Sequence, residues 1–366
     1  MTMPIRHPID GEGVTVDYLN GLLQHSGQAP SIADVTIEES RTYGDQMVST
    51  AARVLFSVRY HDGMAQGWPR HLMLKIARTD DDVMAPFYAN EVAFYTQLRP
   101  SLDMEAPRSF GGHYDNETRH FALLMENLTT RGAHFPTVLE TVSIDRLQRL
   151  LETLALLHAR YWNASLLRQE LAWLGNALEG DVAHLLNDAA APYIQHEIDT
   201  QSFKTELVGK IGWTGSELQA GTKALHRHQM SLDQCLVHGD THLGNTYFLP
   251  DGQCGLLDWQ LMGRGHPMHD VSYIIATALS IADRRVHERD LLRYYLDQLA
   301  ANGVRNAPSF DASWAEYSRS MIWNVYVGWL TTPVVNYGWE INVMNHLRLV
   351  TAFEDLETGK LVREIM

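Results

Sequence analysis

The sequence predicts an α+β fold in two parts, and three observations predict it. Between residues 35 and 77 apolar and polar side chains alternate with period two, the pattern of half-buried antiparallel strands. From residue 143 onward apolar residues recur at helical spacing in one segment after another. Among those helical segments two short apolar runs flank Pro250-Asp251-Gly252, which reads as a hairpin with polar residues at its open end. The expected division is 1–127 for the sheet-bearing part and 128–366 for the larger, mainly helical part.

In the first part, residues 15–25 carry Val16, Leu19, Leu22 and Leu23 at helix spacing, with Thr15 as the N-cap. Residues 35–39 alternate as a strand, 43–50 read as a turn, and 52–60 alternate again. After a loop over 61–68, residues 71–77 form a strand bearing Lys75. Residues 86–98 follow as a helix with Phe87, Val92, Tyr95 and Leu98 on one side, and it carries Glu91. A Lys flanked by apolar residues on a buried strand is costly unless paired. An edge-strand Lys and a surface Glu are the plain alternative. Residues 121–128 read as an apolar strand running into a polar connection.

In the second part, residues 143–162 are strongly amphipathic, with Leu147, Leu150, Leu151, Leu154, Leu157, His158 and Tyr161 on one face. His158 is expected to be a hydrogen-bonded core histidine and not a catalytic one. Helical patterns continue over 181–186, 206–210 and 217–230, the last with His226 and His228 expected at the surface. Others cover 271–282, 283–302, 312–330 and 339–356. The stretch 314–339 holds Trp314, Tyr317, Trp323, Tyr326, Trp329, Tyr337 and Trp339. Aromatic residues at helical spacing are more often core than ligand wall.

The most informative stretch is 236–260. Residues 246–249 read as one strand and 253–257 as its return, so Asn245 and Asp258 fall at the same open end. An amide oxygen and a carboxylate converging on one point suit a hard cation such as magnesium, which keeps its other positions for water and phosphate. Asp240 stands five residues before Asn245 in a His-Gly-Asp loop, placed to orient a hydroxyl or accept its proton. A competing reading makes a zinc site of Cys235, His238, His242 and Cys254, although Gly239 and Gly244 argue against the helix that His-x3-His sites favour. A buried hairpin without chemistry leaves the convergence of Asp240, Asn245 and Asp258 unexplained.

His238, Gly239, Asp240, Asn245, Asp258 and Trp259 together resemble the catalytic segment of the aminoglycoside phosphotransferase and choline-kinase superfamily, small-molecule relatives of protein kinases. The resemblance implies a kinase-like fold, a catalytic Asp240, metal ligands Asn245 and Asp258, and a further acidic position at Asp270 that we read as structural. It implies that Lys75 holds nucleotide phosphates and pairs with Glu91. The implied phosphate loop has a single glycine, Gly44, and with Ser49 it looks like that of the ecdysteroid-kinase-like and choline-kinase-like branch. Residues 121–128 resemble the hinge, with Met125 beside the adenine and the backbone of Glu126 to Leu128 meeting its edge. The implied activity is transfer of the γ-phosphate of ATP, with Mg2+, to a hydroxyl of a small molecule. The resemblance also implies an acceptor site on the helices of the second part, where the aromatic stretch would supply an apolar wall. A nucleotide-binding pseudokinase and a metal-dependent hydrolase built on His238 and His242 are the rivals.

Composition bounds these readings. The 366 residues and a hydrophobic fraction of 45% suffice for a sizeable core. A net charge of −15 disfavours nucleic acid and anionic membrane as partners. It is compatible with a cationic substrate without requiring one, and no protein partner is evident. Two cysteines give no disulfide framework and read as small core residues in a reducing compartment. With no apolar signal core at the start and no run long enough to span a bilayer, a cytoplasmic location is expected.

Overall fold

Thr15 starts the first helix: its hydroxyl accepts the Tyr18 N–H at 3.2 Å, and α1 runs Val16–His25. The computed structural model describes residues 5–41, 51–61, 67–77, 84–169 and 171–366. They fall into two units, Met1–His134 with Leu249–Asp251, and Phe135–Phe248 with Gly252–Met366.

The first unit is built on a sheet of β1 (Ile32–Arg41), β2 (Ala51–Tyr60), β3 (His71–Ala77), β4 (Ser109–Tyr114) and β5 (Phe121–Glu126). The order is β1-β2-β3-β5-β4 and every pairing is antiparallel. Leu19, Leu22 and Leu23 of α1 pack with Val54, Phe56, Leu72, Leu74, Ile76 and Leu124 into one core. Because side chains alternate along a strand, Lys75 points to the opposite face from Leu74 and Ile76. That face is covered by α2 (Ala85–Ala93), where Tyr88 stacks on Phe121 with ring centroids 4.4 Å apart. The helix continues into a π-helical turn, Phe94–Leu98.

β4 carries no strand signal in sequence, and the reason is steric. A Cβ on Gly112 would lie 2.7 Å from Leu123 Cδ2, and one on Gly111 2.8 Å from Ser26 Oγ. Close approach there calls for glycines, which weaken the strand pattern.

The second unit is mainly helical. Its elements are α3 (Ile144–Arg160), α4 (Asp181–His184), α5 (Ala191–Thr200), α6 (Ser202–Lys210) and α7 (Gly215–Gln229). Short strands β6 (Cys235–Val237), β7 (Thr246–Phe248), β8 (Cys254–Leu256) and β9 (Gly263–Gly265) follow. Then come α8 (Met268–Ala278), α9 (Ile281–Ala301), α10 (Phe310–Trp323), α11 (Val334–Tyr337), α12 (Trp339–Asp355) and α13 (Thr358–Arg363). Ser143 caps α3 as expected, its hydroxyl accepting the Arg146 N–H at 3.3 Å. α5, α11 and α13 lie outside the helical patterns of the sequence. α8 is almost wholly buried and packs against α3, α9, α10 and α12, so it is the beam on which the polar loops before it rest. Among the described residues no helix is long and apolar enough to cross a membrane.

The expectation that His226 is exposed is corrected: only 4% of it is accessible. Its neighbour His228 is partly open and bonds Glu316 Oε1 at 2.9 Å. α7 turns His226 inward with Leu218 and Leu225, as a helix of this period must when its apolar face continues through the last turn. This burial has a consequence for acid stability. It pushes the pKa of His226 and His346 down to about 3 and that of His266 down to about 4. An unfolded histidine titrates near pH 6.5, so below that pH the unfolded chain binds protons that the folded one does not. The stability from these rings is full above about pH 6.5. It falls as the pH drops toward about 4 and then about 3, at up to about 1.4 kcal/mol per pH unit for each ring. The urea midpoint is therefore expected to fall steeply from about pH 6.5 to about pH 4. A midpoint that stays level across that window would contradict the burial of these rings as neutral species.

Candidate active site

β7 and β8 form the expected hairpin, with Thr246 opposite Leu256, Tyr247 opposite Gly255 and Phe248 opposite Cys254. The ladder extends one step further, the Leu257 N–H donating to Asn245 O at 2.8 Å. Asn245 and Asp258 thus leave the hairpin side by side at its open end. Asp258 has φ +62°, a left-handed conformation that Asp tolerates better than most residues and that costs strain. The short helical turn Trp259–Leu261 begins directly after it, and Trp259 is fully buried against the His238 ring, with centroids 4.5 Å apart.

Asp240 is tied to the same end. The Asn245 side-chain amide donates to Asp240 O and to Asp240 Oδ2, both at 2.9 Å. That orientation leaves the Asn245 carbonyl oxygen as the atom available to a cation. Gly239, just before Asp240, has φ +86°, and a Cβ there would stand 2.1 Å from Leu261 O, so only glycine fits this position.

α8 holds the loop from beneath. Asp270 Oδ2 accepts the His238 N–H at 2.7 Å and Oδ1 the Gly239 N–H at 2.9 Å. The Thr241 hydroxyl donates to Asp270 O at 2.7 Å, and the His269 ring bonds Gly239 O at 3.0 Å. His158 lies behind Asp270, its Nε2 3.1 Å from Oδ2 and its Nδ1 2.7 Å from the Tyr295 hydroxyl. Burial works to raise the Asp270 pKa, but the hydrogen bond and charge of His158, then His269 and His238, hold it below the usual carboxylate range. Asp270 and His158 are therefore supports of the backbone that carries Asp240.

The electrostatics of the open end favour a cation. Burial, then the nearby Asp258 carboxylate, pushes the Asp240 pKa up to about 8. The side chain stays 26% exposed, so water moderates that shift, but its direction follows from two carboxylates sharing one recess. Two carboxylates, an amide oxygen and access to solvent fit magnesium, a hard ion that takes few protein ligands.

The zinc reading does not fit. His238 Nδ1 accepts the Asp240 N–H at 3.2 Å and its Nε2–H donates to Leu257 O at 2.8 Å, so both ring nitrogens are engaged. Cys235 and Cys254 are buried on separate strands, their sulfurs 3.7 Å from Gly265 O and Thr153 Oγ1 respectively. Among the described residues no group of three or more His, Cys, Asp and Glu side chains is arranged to hold a metal.

In the first unit, Lys75 Nζ bonds Glu91 Oε1 at 2.8 Å and Oε2 at 2.7 Å, with both side chains almost fully buried. The pairing offsets the cost of burying the two charges, and breaking it by removing one partner would leave the other charge uncompensated. Met125 is buried at the end of β5. Glu126 Oε1 accepts the Arg108 N–H at 2.8 Å and lies 3.3 Å from Arg131 Nη1. Leu128 is buried and opens a helical turn capped by Asn127. Gly44 and Ser49 lie outside the described residues.

Residues 59–309, more than half of the chain, match the model of the APH family, the phosphotransferase enzyme family. The chain belongs to that family. No curated protein sequence matches it significantly. Among solved structures, choline kinase from Cryptosporidium parvum Iowa II aligns over 91% of this phosphotransferase and 91% of its own length, with a TM-score of 0.54 and 10% identity. Plasmodium vivax ethanolamine kinase aligns over 88% and 83%, with a TM-score of 0.53 and 11% identity. At such identities the likeness is one of fold, and it is the kinase-like α+β fold expected from the sequence.

The aromatic stretch divides between core and site. Trp314 stacks on Tyr317 and carries Arg289 on its ring. Trp323 packs on His269 and Tyr273. Trp329 and Tyr337 reach His242, with centroids 5.7 and 6.4 Å from its ring, and Tyr273 stands at 6.0 Å.

Proposed function

We propose that this phosphotransferase is an ATP-dependent kinase that transfers the γ-phosphate to a hydroxyl of a small molecule. The observation that carries the reading is the convergence of Asp240, Asn245 and Asp258 at one hairpin end, with Asn245 bonded to both the carbonyl and the carboxylate of Asp240. Asn245 and Asp258 would hold the magnesium ion, which when bound neutralises charge on the β- and γ-phosphates. Lys75, kept extended by Glu91, binds the phosphates. Asp240 accepts the hydrogen bond of the acceptor hydroxyl, aims its oxygen at the γ-phosphorus and takes the proton as the new O–P bond forms. On this reading residues 1–127 bind the nucleotide, with Met125 and 126–128 toward the adenine. Residues 128–366 carry the catalytic loop, the metal site and the acceptor pocket.

The acceptor class we favour is a small, partly apolar alcohol. Tyr273, Trp329 and Tyr337 gather round His242 beside Asp240, which supports an aromatic wall next to the reacting hydroxyl. Only a short connection separates Asp258 from α8, leaving little chain to support a peptide. The two solved relatives are named for choline and ethanolamine, which are small alcohols. The test is phosphate transfer from ATP to a panel of hydroxylated small molecules, with and without magnesium. Magnesium-dependent transfer to a small alcohol is expected. Efficient phosphorylation of proteins with no small alcohol accepted, or nucleotide binding without turnover, would overturn the reading.

A further inference from the structure

His242 has no role in the site as described so far, yet its geometry is closely determined. Its Nδ1 accepts the Gly244 N–H at 3.1 Å, capping the turn Leu243–Asn245. An imidazole whose Nδ1 is an acceptor carries its proton on Nε2. That Nε2 lies 3.9 Å from Asp240 Oδ2, the same oxygen that receives the Asn245 amide. The distance is too long for a direct hydrogen bond. It is short enough for one oxygen atom to bridge, at about 2.8 Å from each partner, accepting from the imidazole and donating to the carboxylate.

The ring is not free to move away. Its side chain is 10% exposed, with Tyr273, Trp329 and Tyr337 around it. Gly244 leaves just enough room beneath it, since a Cβ there would come within 2.8 Å of His242 Cε1. A donor locked by packing on several sides is preorganised in the sense that positioning groups require.

We propose that His242 is a further catalytic residue, whose Nε2–H donates a hydrogen bond to the acceptor hydroxyl and turns that hydroxyl's own proton toward Asp240. The inference rests on the kinase reading above. In the step, the acceptor oxygen forms a bond to the γ-phosphorus as the bond from that phosphorus to the β–γ bridging oxygen breaks. The proton passes to Asp240, the nucleoside diphosphate leaves, and His242 keeps its proton throughout. The acceptor is thereby one whose hydroxyl-bearing carbon abuts aromatic surface and carries no bulk on the His242 side.

Two substitutions separate donor from cap. His242→Asn keeps an acceptor for the Gly244 N–H but has no donor at the Nε2 position. His242→Gln places an amide N–H near that position. Release of ADP from magnesium–ATP is measured for wild type, both variants and Asp240→Ala, with water and with benzyl alcohol as acceptors, alongside nucleotide affinity and thermal midpoint. His242→Asn is expected to lose roughly 10–100-fold in kcat at unchanged nucleotide affinity and midpoint, and His242→Gln to recover most of it. Turnover in His242→Asn equal to wild type, with Asp240→Ala inactive, overturns this inference alone. Equal losses in both variants make the ring a requirement of shape and overturn the donor role. Absence of ADP release in the wild type with water, benzyl alcohol and the whole hydroxylated panel overturns the kinase reading and this inference with it.

Discussion

Asp240→Ala is expected to lower phosphate transfer by roughly 10²–10⁴-fold, the range of a positioned proton acceptor, while nucleotide affinity stays close to wild type. The separation follows from what each group touches. On the proposed reading Asp240 would meet the acceptor hydroxyl, whereas Lys75 and a metal on Asn245 and Asp258 would hold the phosphates. The loop itself should survive, because its shape does not depend on the Asp240 carboxylate. Asn245 still donates to the Asp240 carbonyl, and Asp270 still receives the backbone N–H groups of His238 and Gly239. Steady-state transfer rates with a nucleotide-binding titration provide the check. A variant that turns over at near the wild-type rate would remove Asp240 from the mechanism.

Asp258→Ala is the second large effect. It deletes the proposed anionic metal ligand, and magnesium–nucleotide affinity should fall by at least roughly 10–100-fold, the usual cost of losing even an outer-shell partner of a metal site. Alanine at φ +62° adds strain of its own. Asp258→Asn is therefore the cleaner companion, since Asn tolerates that backbone and removes only the charge. Both should abolish transfer. Asn245→Ala should act in the same direction but less severely at the metal, because a neutral oxygen is lost. A magnesium titration that is unchanged in all of these variants would exclude the proposed metal site.

The parts of this molecule that were legible in sequence are those encoded over short distances. Strand alternation and helical spacing are local periodicities, so β2, β3, α1 and α3 could be placed to within a residue or two. The pairing of Asn245 with Asp258 is a property of one hairpin and its turn residues. That Lys75 needs a partner follows from its apolar flanks, and the helix following its strand supplies Glu91. β4 was hidden because close packing imposed glycines where strand formers would have signalled it.

By itself, then, the sequence determined the fold class, the order of the elements and the three polar residues that meet at the hairpin end. Turn chemistry and side-chain period set all of these within a few tens of residues. Only the tertiary structure decided what lies behind them. Asp270 grips the backbone of His238 and Gly239 from more than thirty residues away, and His158 supports Asp270 from more than a hundred. It also decided that His226 faces inward and that His242, available on sequence grounds for zinc, is instead enclosed by Tyr273, Trp329 and Tyr337. A residue's type and neighbours say what it can bond. Which of its atoms are already engaged depends on partners brought together by packing between distant segments, and no local pattern records them.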